Sequence, residues 1–509
     1  MKNNLFFILA LGLNSILSAQ NPEVIFQESY ETTFRCGSRS LTETDNNGFI
    51  IVGHETPGDG NAFASVLRID SIGNKIWSNA YGDPWGEDSR IRTTAWDVVQ
   101  SPDGNYVISG AGEFEGIVVD GNEFPYNSGY IFEIDDNGIL IWEQSYRLDG
   151  DNEYRHRCDF NAIDAIPDSG YVAAGYHDIG TSEVDPPRWN GYIVMINQSG
   201  EKIREISYES GDEPSLEWFD DVKSTSDGGF IASGFFSDVI TTNYVSDGLV
   251  VKFDKDGLEE WHYVYNSAKM SRFHGVVETS DANFITAGSE QISPLESNLL
   301  IFKLSADGAL IDSLLLHNYD HNGALDVADA DDGYLAAGYV WQNEEEPYSS
   351  QAYLLKIDSN LAFEWELLVG GSEWQEARAV IKNSDPGYTF AGIQYDDPIT
   401  YHHYLVKVSG EPGTRVEEVV IPLSTNLYQN YPNPFNPTTN FGYQLSTVSE
   451  VELSVYNILG EKVAVLVNEK QYPGSYEVEF NAGDLASGVY FYIIQAGSFR
   501  DAKKMILIK

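Results

Sequence analysis

An all-β chain built from one repeated antiparallel unit is what this sequence predicts, on three observations. Aromatics make up 13% of its 509 residues, with 31 tyrosines and 10 tryptophans beside 46 glycines. Strand formers mixed with turn formers in this way favour sheets over helices. A short apolar strand that closes on glycine recurs seven times. The length also exceeds that at which one hydrophobic core stops growing, so two or more domains are expected.

The recurring strand reads Gly48-Phe49-Ile50-Ile51-Val52-Gly53 in its first copy, and the later copies span 106–110, 171–175, 230–234, 284–288, 334–338 and 388–392. Successive closing glycines lie 57, 65, 59, 54, 50 and 54 residues apart, a period suited to a four-stranded unit with loops of uneven length. A second apolar segment follows each copy, at 66–70, 131–135, 193–197, 250–254, 301–305, 354–358 and 404–408. Most of these then turn back into an aromatic strand, as Ser71-Ile72-Gly73-Asn74 does toward Trp77, and Lys255-Asp256-Gly257 toward Trp261. Asx and Gly supply the positive φ that tight hairpins need. A shorter strand such as 95–99, 275–277 or 379–381 precedes most copies, giving four strands per unit.

The seventh unit stops at Val408-Ser409-Gly410 without a fourth strand, while residues 24–30 form an orphan strand that matches 76–81. The orphan is expected to complete the last unit. Such closure removes exposed sheet edges, which otherwise template aggregation, whereas an open solenoid would carry capping repeats. On this pattern residues 20–412 resemble a seven-bladed β-propeller of the loosely related secreted repeat type, closed by an N-terminal strand. The resemblance implies a shape and no activity.

Residues 1–19 carry Lys2, an apolar run over 5–13 and the small-residue ending Leu17-Ser18-Ala19, the form of a secretory signal peptide cleaved near Gln20. The run is shorter than the roughly 20 residues that span a bilayer, and no cysteine stands at the cleavage point to take a lipid. The expected product is exported, not membrane-spanning, and monomeric.

After a linker at 413–424 the pattern changes. Asn430-Tyr431-Pro432-Asn433-Pro434-Phe435-Asn436-Pro437 opens a module that continues through Val455-Tyr456-Asn457-Ile458-Leu459-Gly460 and Leu485-Ala486-Ser487-Gly488-Val489-Tyr490, and ends with Lys503-Lys504-Met505-Ile506-Leu507-Ile508-Lys509. Its short alternating strands suit a small immunoglobulin-like β-sandwich. Its prolines withhold N–H donors and so keep the opening segment at an edge or in a loop. In order and spacing these motifs, over 425–509, resemble the type A C-terminal sorting domain of the type IX secretion system of Bacteroidetes. That resemblance implies partnership with the type IX machinery and a destination outside a Gram-negative cell, secreted or on the outer surface.

A net charge of −48 argues against nucleic acid and anionic membranes, which call for clustered Lys and Arg. The two cysteines, Cys36 and Cys158, make no disulfide scaffold, and the sequence leaves their pairing open because it depends on a Cα separation below about 7 Å. No cofactor or metal is expected. Asp-rich turns such as Asp254-Lys255-Asp256-Gly257 lack the ligand run of a calcium loop, and no nucleophile elbow or zinc-protease motif occurs.

Ligands of propellers gather at the axial mouth, so the loops leading into the innermost strands hold the candidates. They carry Trp85, Arg90 and Arg92; Tyr154, Arg155, His156 and Arg157; Trp218; Arg272 and His274; Trp374 and Arg378, with Tyr126, Trp189, His402 and His403 on the neighbouring loops. With only 30 Lys and Arg in the chain, arginines at equivalent positions point to bidentate binding of carboxylate or sulfate, and the flat aromatics to sugar rings. Surface ion pairs with nearby acids, each worth about 0 to 1 kcal/mol, are the plainer account of the same arginines. The functional expectation is a non-enzymatic glycan- or protein-binding adhesion module, with Trp85, Arg92, Tyr154, Arg155, Trp218, Arg272, Trp374 and Arg378 at the ligand. The alternatives are a lyase acting on acidic polysaccharides through His156, His274 and Arg155, and a structural surface protein.

Overall fold

The structure is a computed structural model that describes residues 22–508 apart from 31–34, 57–61, 83–91, 120–121, 148–156, 168, 179–188, 211–214, 239–244, 268, 295, 342–349, 371–373, 398–399, 413–424, 446–448, 472–473, 484 and 498. The leader at 1–19 and the linker at 413–424 therefore lie outside the described residues. Every regular element among those described is a β-strand.

Up to residue 412 the strands form seven four-stranded antiparallel sheets. Sheet 1 runs Arg35–Glu43, Phe49–Thr56, Phe63–Ile69, Lys75–Tyr81 from its first strand to its last. Sheets 2 to 6 repeat that order, beginning with Thr93–Gln100, Cys158–Ile166, Ser215–Ser224, Met270–Glu278 and His321–Ala330. Sheet 7 takes Trp374–Lys382, Gly387–Asp397 and Thr400–Pro412, and its fourth strand is Pro22–Tyr30, paired antiparallel with Thr400–Pro412. The hairpins between third and fourth strands are set by one side-chain oxygen. In Asp70, Asp135, Asn197, Asp254 and Asp358 it accepts two backbone N–H groups, for example Ile72 N at 3.1 Å and Asn74 N at 2.8 Å for Asp70. These side-chain oxygens, four of carboxylates and one of the Asn197 carboxamide, are spent on the turn, and a cation would have to displace backbone donors to use them.

Second and third strands are apolar on both faces because each sheet is covered on both sides. One apolar cluster fills each junction: Val52 with Ile108 between sheets 1 and 2, Val107 with Ala173 between 2 and 3, Ala174 with Val251 between 3 and 4, Ile231 with Val276 between 4 and 5, Ala287 with Ala336 between 5 and 6, Ala337 with Phe390 between 6 and 7. Ile51 with Ala391 joins sheet 7 back to sheet 1. The seven sheets thus form a closed ring with their first strands innermost. Cys36 and Cys158 sit in the first strands of sheets 1 and 3, both buried, and form no disulfide.

The closing glycines of the sequence repeat have a physical cause. Opposite each, the first strand carries a β-bulge whose extra residue is Arg39, Trp96, Asn161, Asp220, His274, Leu325 and Arg378 in sheets 1 to 7. The bulge pushes the carbonyl two residues earlier against the second strand. A Cβ on Gly53, Gly110, Gly175, Gly234, Gly288, Gly338 or Gly392 would stand 1.7–2.0 Å from that oxygen. Only glycine admits so close a backbone approach.

The C-terminal module has a three-stranded sheet (Asn426–Leu427, Thr438–Leu445, Gly474–Asn481) and a four-stranded sheet ordered Lys462–Gln471, Ser449–Asn457, Gly488–Ala496, Phe499–Leu507. The two share a core containing Phe441, Tyr443, Leu453, Val455, Tyr492 and Met505. The proline-rich opening makes only isolated bridges, Tyr431 N donating to Asn440 O and Phe435 N to Ile506 O, both at 3.0 Å, and side chains hold the rest: Tyr492 Oη donates to Tyr428 O and accepts from Asn430 N, both at 2.8 Å, and Thr439 Oγ1 donates to Pro432 O at 2.8 Å.

Gly392→Ala places a methyl 1.7 Å from Glu376 O and is expected to cost about 1–3 kcal/mol, the usual penalty of overpacking. Thermal unfolding of the purified protein measures it, and an unchanged melting temperature would show that the bulge does not require this glycine.

Candidate ligand-binding site

A bulge turns one extra side chain of each innermost strand out of the alternating register. The seven extra residues all line one axial cavity of about 380 Å³, and every other residue on its wall also belongs to a first strand. Its floor holds a cation ringed by acids. Lys223 Nζ lies 3.1 Å from Asp221 Oδ1, and Asp97, Asp164 and Asp326 join Asp221 in raising the Lys223 pKa against the opposing effect of burial. Three of these carboxylates also tie sheets together. Asp97 Oδ2 accepts Ile163 N at 2.9 Å, Asp221 Oδ2 accepts Val276 N at 2.9 Å, and Asp326 Oδ2 accepts Val380 N at 2.8 Å. Among the described residues no group of three or more His, Cys, Asp or Glu is arranged to hold a metal ion.

Above the floor the ring is unequal. Arg39 Cζ stands 4.3 Å from the centre of the Trp96 ring, and Arg39 makes no ion pair among the described residues. Its Nε is shut off from solvent with no acceptor. Burial first, then the neighbouring Arg378, push the Arg39 pKa down to about 9, with Glu376, Tyr395 and Tyr401 opposing. Arg378 Nη2 is 2.7 Å from Glu376 Oε2, and its Nε also lacks an acceptor. Trp374 Nε1 donates to the same Glu376 at 3.0 Å. An aromatic arc continues from there through Tyr395 and Tyr401 to His54 and Trp96, with ring centres 5.3–6.5 Å apart.

On the opposite side the cations are already matched. Arg272 forms a two-pronged pair with Asp220, and His274 Nδ1 lies 3.5 Å from the same carboxylate. Burial alone would raise the Asp220 pKa, but Arg272 and His274 hold it below the usual carboxylate value. The Arg272 guanidinium also covers Trp218 and Phe235 at 5.3 and 4.9 Å, and Trp218 stacks on Tyr176 at 3.8 Å. A second cavity of about 490 Å³ opens between sheets 4, 5 and 6, walled in part by Trp189, Phe235, Arg272, His274, Ser289 and Tyr339.

The structure thus brings together Trp218, Arg272 and His274 on one side of the mouth, and Trp374 and Arg378 on the other. Trp189 joins the first group, 5.7 Å from Trp218. Arg157 pairs with Asp159 at 2.7 Å over Tyr176, and Arg92 is exposed just before the first strand of sheet 2. His402 and His403 are buried, His402 against Asp396 at 2.8 Å. Trp85, Arg90, Tyr154, Arg155 and His156 lie outside the described residues, as does the Tyr126 side chain. Trp218, Arg272, His274, Trp374 and Arg378, expected in entry loops, stand within the first strands themselves, and the loop-based reading missed Arg39, Trp96 and Asp220, which stand there too. A usable signal was present: the bulge residue precedes the closing glycine by 14 positions in six sheets and by 13 in sheet 6.

Residues 429–509 match the secretion system C-terminal sorting domain, so the chain carries a type IX sorting tail behind a β-rich body. Such a tail implies engagement by the type IX machinery and a secreted or cell-surface protein of the Bacteroidetes. No curated protein matches the sequence. Among solved structures, the chain is similar to a protein of unknown function from Dyadobacter fermentans at 12% identity and a TM-score of 0.45, covering 77% of this chain and all of that one. PorZ, a surface component of the type IX secretion system of Porphyromonas gingivalis, aligns at 12% identity and a TM-score of 0.32 over 91% of this chain and 69% of its own. Trypanosoma rangeli sialidase aligns at 9% identity and 0.37 over 96% and 86%. None of these likenesses carries an activity or a ligand over to this chain.

His403 clasps sheet 7 to sheet 1, with Nδ1 3.0 Å from Ser38 Oγ and Nε2 3.3 Å from Ser65 Oγ. Burial, then His402 and Lys75, lower its pKa to about 3. The unfolded chain takes up this proton below about pH 6.5 and the folded chain does not, so the stability contribution is complete above about 6.5 and is lost as pH falls toward 3. His403→Gln should flatten the acid limb of a stability–pH profile by on the order of 1.4 kcal/mol per pH unit, and a variant whose limb keeps the parent slope would remove His403 from the account.

Proposed function

We propose that the exported body is a seven-bladed β-propeller carried by an immunoglobulin-like sorting sandwich, with domain limits near 20–412 and 425–509, and that it binds an acidic glycan at its axial mouth without chemical turnover. The observation that carries this reading is Arg39, a partly buried guanidinium stacked on Trp96, lacking an ion-pair partner among the described residues and lying beside Arg378. A cation in such a place is costly until an anion joins it. Two guanidiniums with open N–H positions suit the forked geometry of a carboxylate or sulfate. The aromatic arc from Trp374 to Trp96 offers flat faces for the ring that bears the acid.

Two parts of the loop-based site are weaker supports. Arg272 is occupied by Asp220, and a ligand would have to compete with that carboxylate. A lyase reading would rest on His274, which leans on the same Asp220. Elimination leaves an unsaturated uronate that absorbs in the ultraviolet, so one experiment separates binder from enzyme.

The purified protein is expected to bind soluble polyuronates with no rise in absorbance. Arg39→Ala and Trp96→Ala are each expected to weaken binding at least tenfold, the loss of about 1.4 kcal/mol that one good charge-assisted contact or stacking face supplies. Growing absorbance would replace the binder with a lyase. Undiminished binding in Arg39→Ala would remove the axial mouth as the site.

A further inference from the structure

Resting on that reading, we infer that the bound glycan is an oligosaccharide of mixed charge, with its acidic residue on the axis and an uncharged residue in the lateral cavity between sheets 4, 5 and 6. His274 lines both cavities. A ligand held at Arg39 and Arg378 that grows toward His274 enters the lateral cavity of about 490 Å³, within the range of sites for drug-sized molecules.

The lateral walls differ in kind from the axial ones. Their one guanidinium, Arg272, is matched by Asp220, so this cavity offers an acid no open cation. It offers instead what a neutral sugar uses. Ser289 and Gln291 stand two apart on the strand Phe284–Ser293, hence on the same face, and line the cavity together. Neither side chain has a hydrogen-bond partner among the described residues, so hydroxyl and carboxamide are open to sugar hydroxyls. Trp189, Phe235 and Tyr339 supply apolar faces. The neighbouring Ser297 is by contrast occupied, with its Oγ 2.9 Å from His321 Nδ1 and donating to Asn322 O at 2.8 Å.

Calorimetric titration of the purified protein with glucuronic acid, with a glucuronate–N-acetylhexosamine disaccharide and with cellobiose tests this. The disaccharide is expected to bind at least tenfold more tightly than glucuronic acid, and cellobiose more weakly than either acid. The double variant Ser289→Ala, Gln291→Ala should reduce the advantage of the disaccharide and leave glucuronic acid unchanged, while Arg39→Ala should weaken both acids. Equal affinities for the two acids, or equal losses in the double variant, would overturn the lateral subsite and leave the axial one standing. Binding of both acids that ignores Arg39→Ala, or no binding of either, would overturn the axial reading itself.

Discussion

Three carboxylates at the bottom of the bulges hold the ring in register. Asp97, Asp221 and Asp326 follow the extra residue in sheets 2, 4 and 6, and each caps its own next N–H at 2.7–2.8 Å while its second oxygen reaches the following sheet. One side chain therefore fixes the bend of its strand and the distance to its neighbour together. Charge-assisted bonds of this type are about twice as strong as neutral ones. Alternation by twos cannot close on an odd number, and at sheet 1 a serine takes over: Ser40 Oγ donates to Asp97 at 2.6 Å. Because the bulges are pinned in this way, the residues they expel, Arg39 and Arg378 among them, project at a defined height over the axis.

The electrostatics of the mouth run against those of the whole. A chain of net charge −48 repels anions at long range, but at physiological salt that field fades over about 8 Å. Arg39 and Arg378 act within contact distance and behind partly dry walls, where screening is weak. Acidity of this kind discourages indiscriminate anion binding, so the proposed ligand would have to reach the axis and fit its walls.

Much of the architecture was legible in the sequence because its causes are local. Paired glycine and Asx in a turn, an apolar strand buried on both faces and the glycine opposite each bulge all leave marks at fixed spacing. The site was legible only in part. Trp218, Trp374, Arg272 and Arg378 were found, although they stand in the first strands and not in the loops before them, yet their partners were not: the Asp220 that occupies Arg272 looked like an ordinary strand residue. Arg39 sits in Arg35-Cys36-Gly37-Ser38-Arg39, a stretch with no apolar alternation to flag it, because a bulge disrupts the period by which strand faces are read. Whether a guanidinium is spent or open is a matter of which sheet lies next to it, and the ring sets that by closure across 365 residues, as from Ser38 to His403.

That closure has a consequence in time. The strand Pro22–Tyr30 leaves the ribosome before the other described strands, yet its partner, Thr400–Pro412, is the last strand of the ring to be made. For the whole of elongation the first strand has no ladder to join and sheet 7 has no outer edge. Sheets 1 to 6 each take four consecutive strands, so it is the seventh sheet that waits for both ends of the body. Pairing of Pro22–Tyr30 with Thr400–Pro412 is therefore the last step of ring closure open to a chain made from its N-terminus.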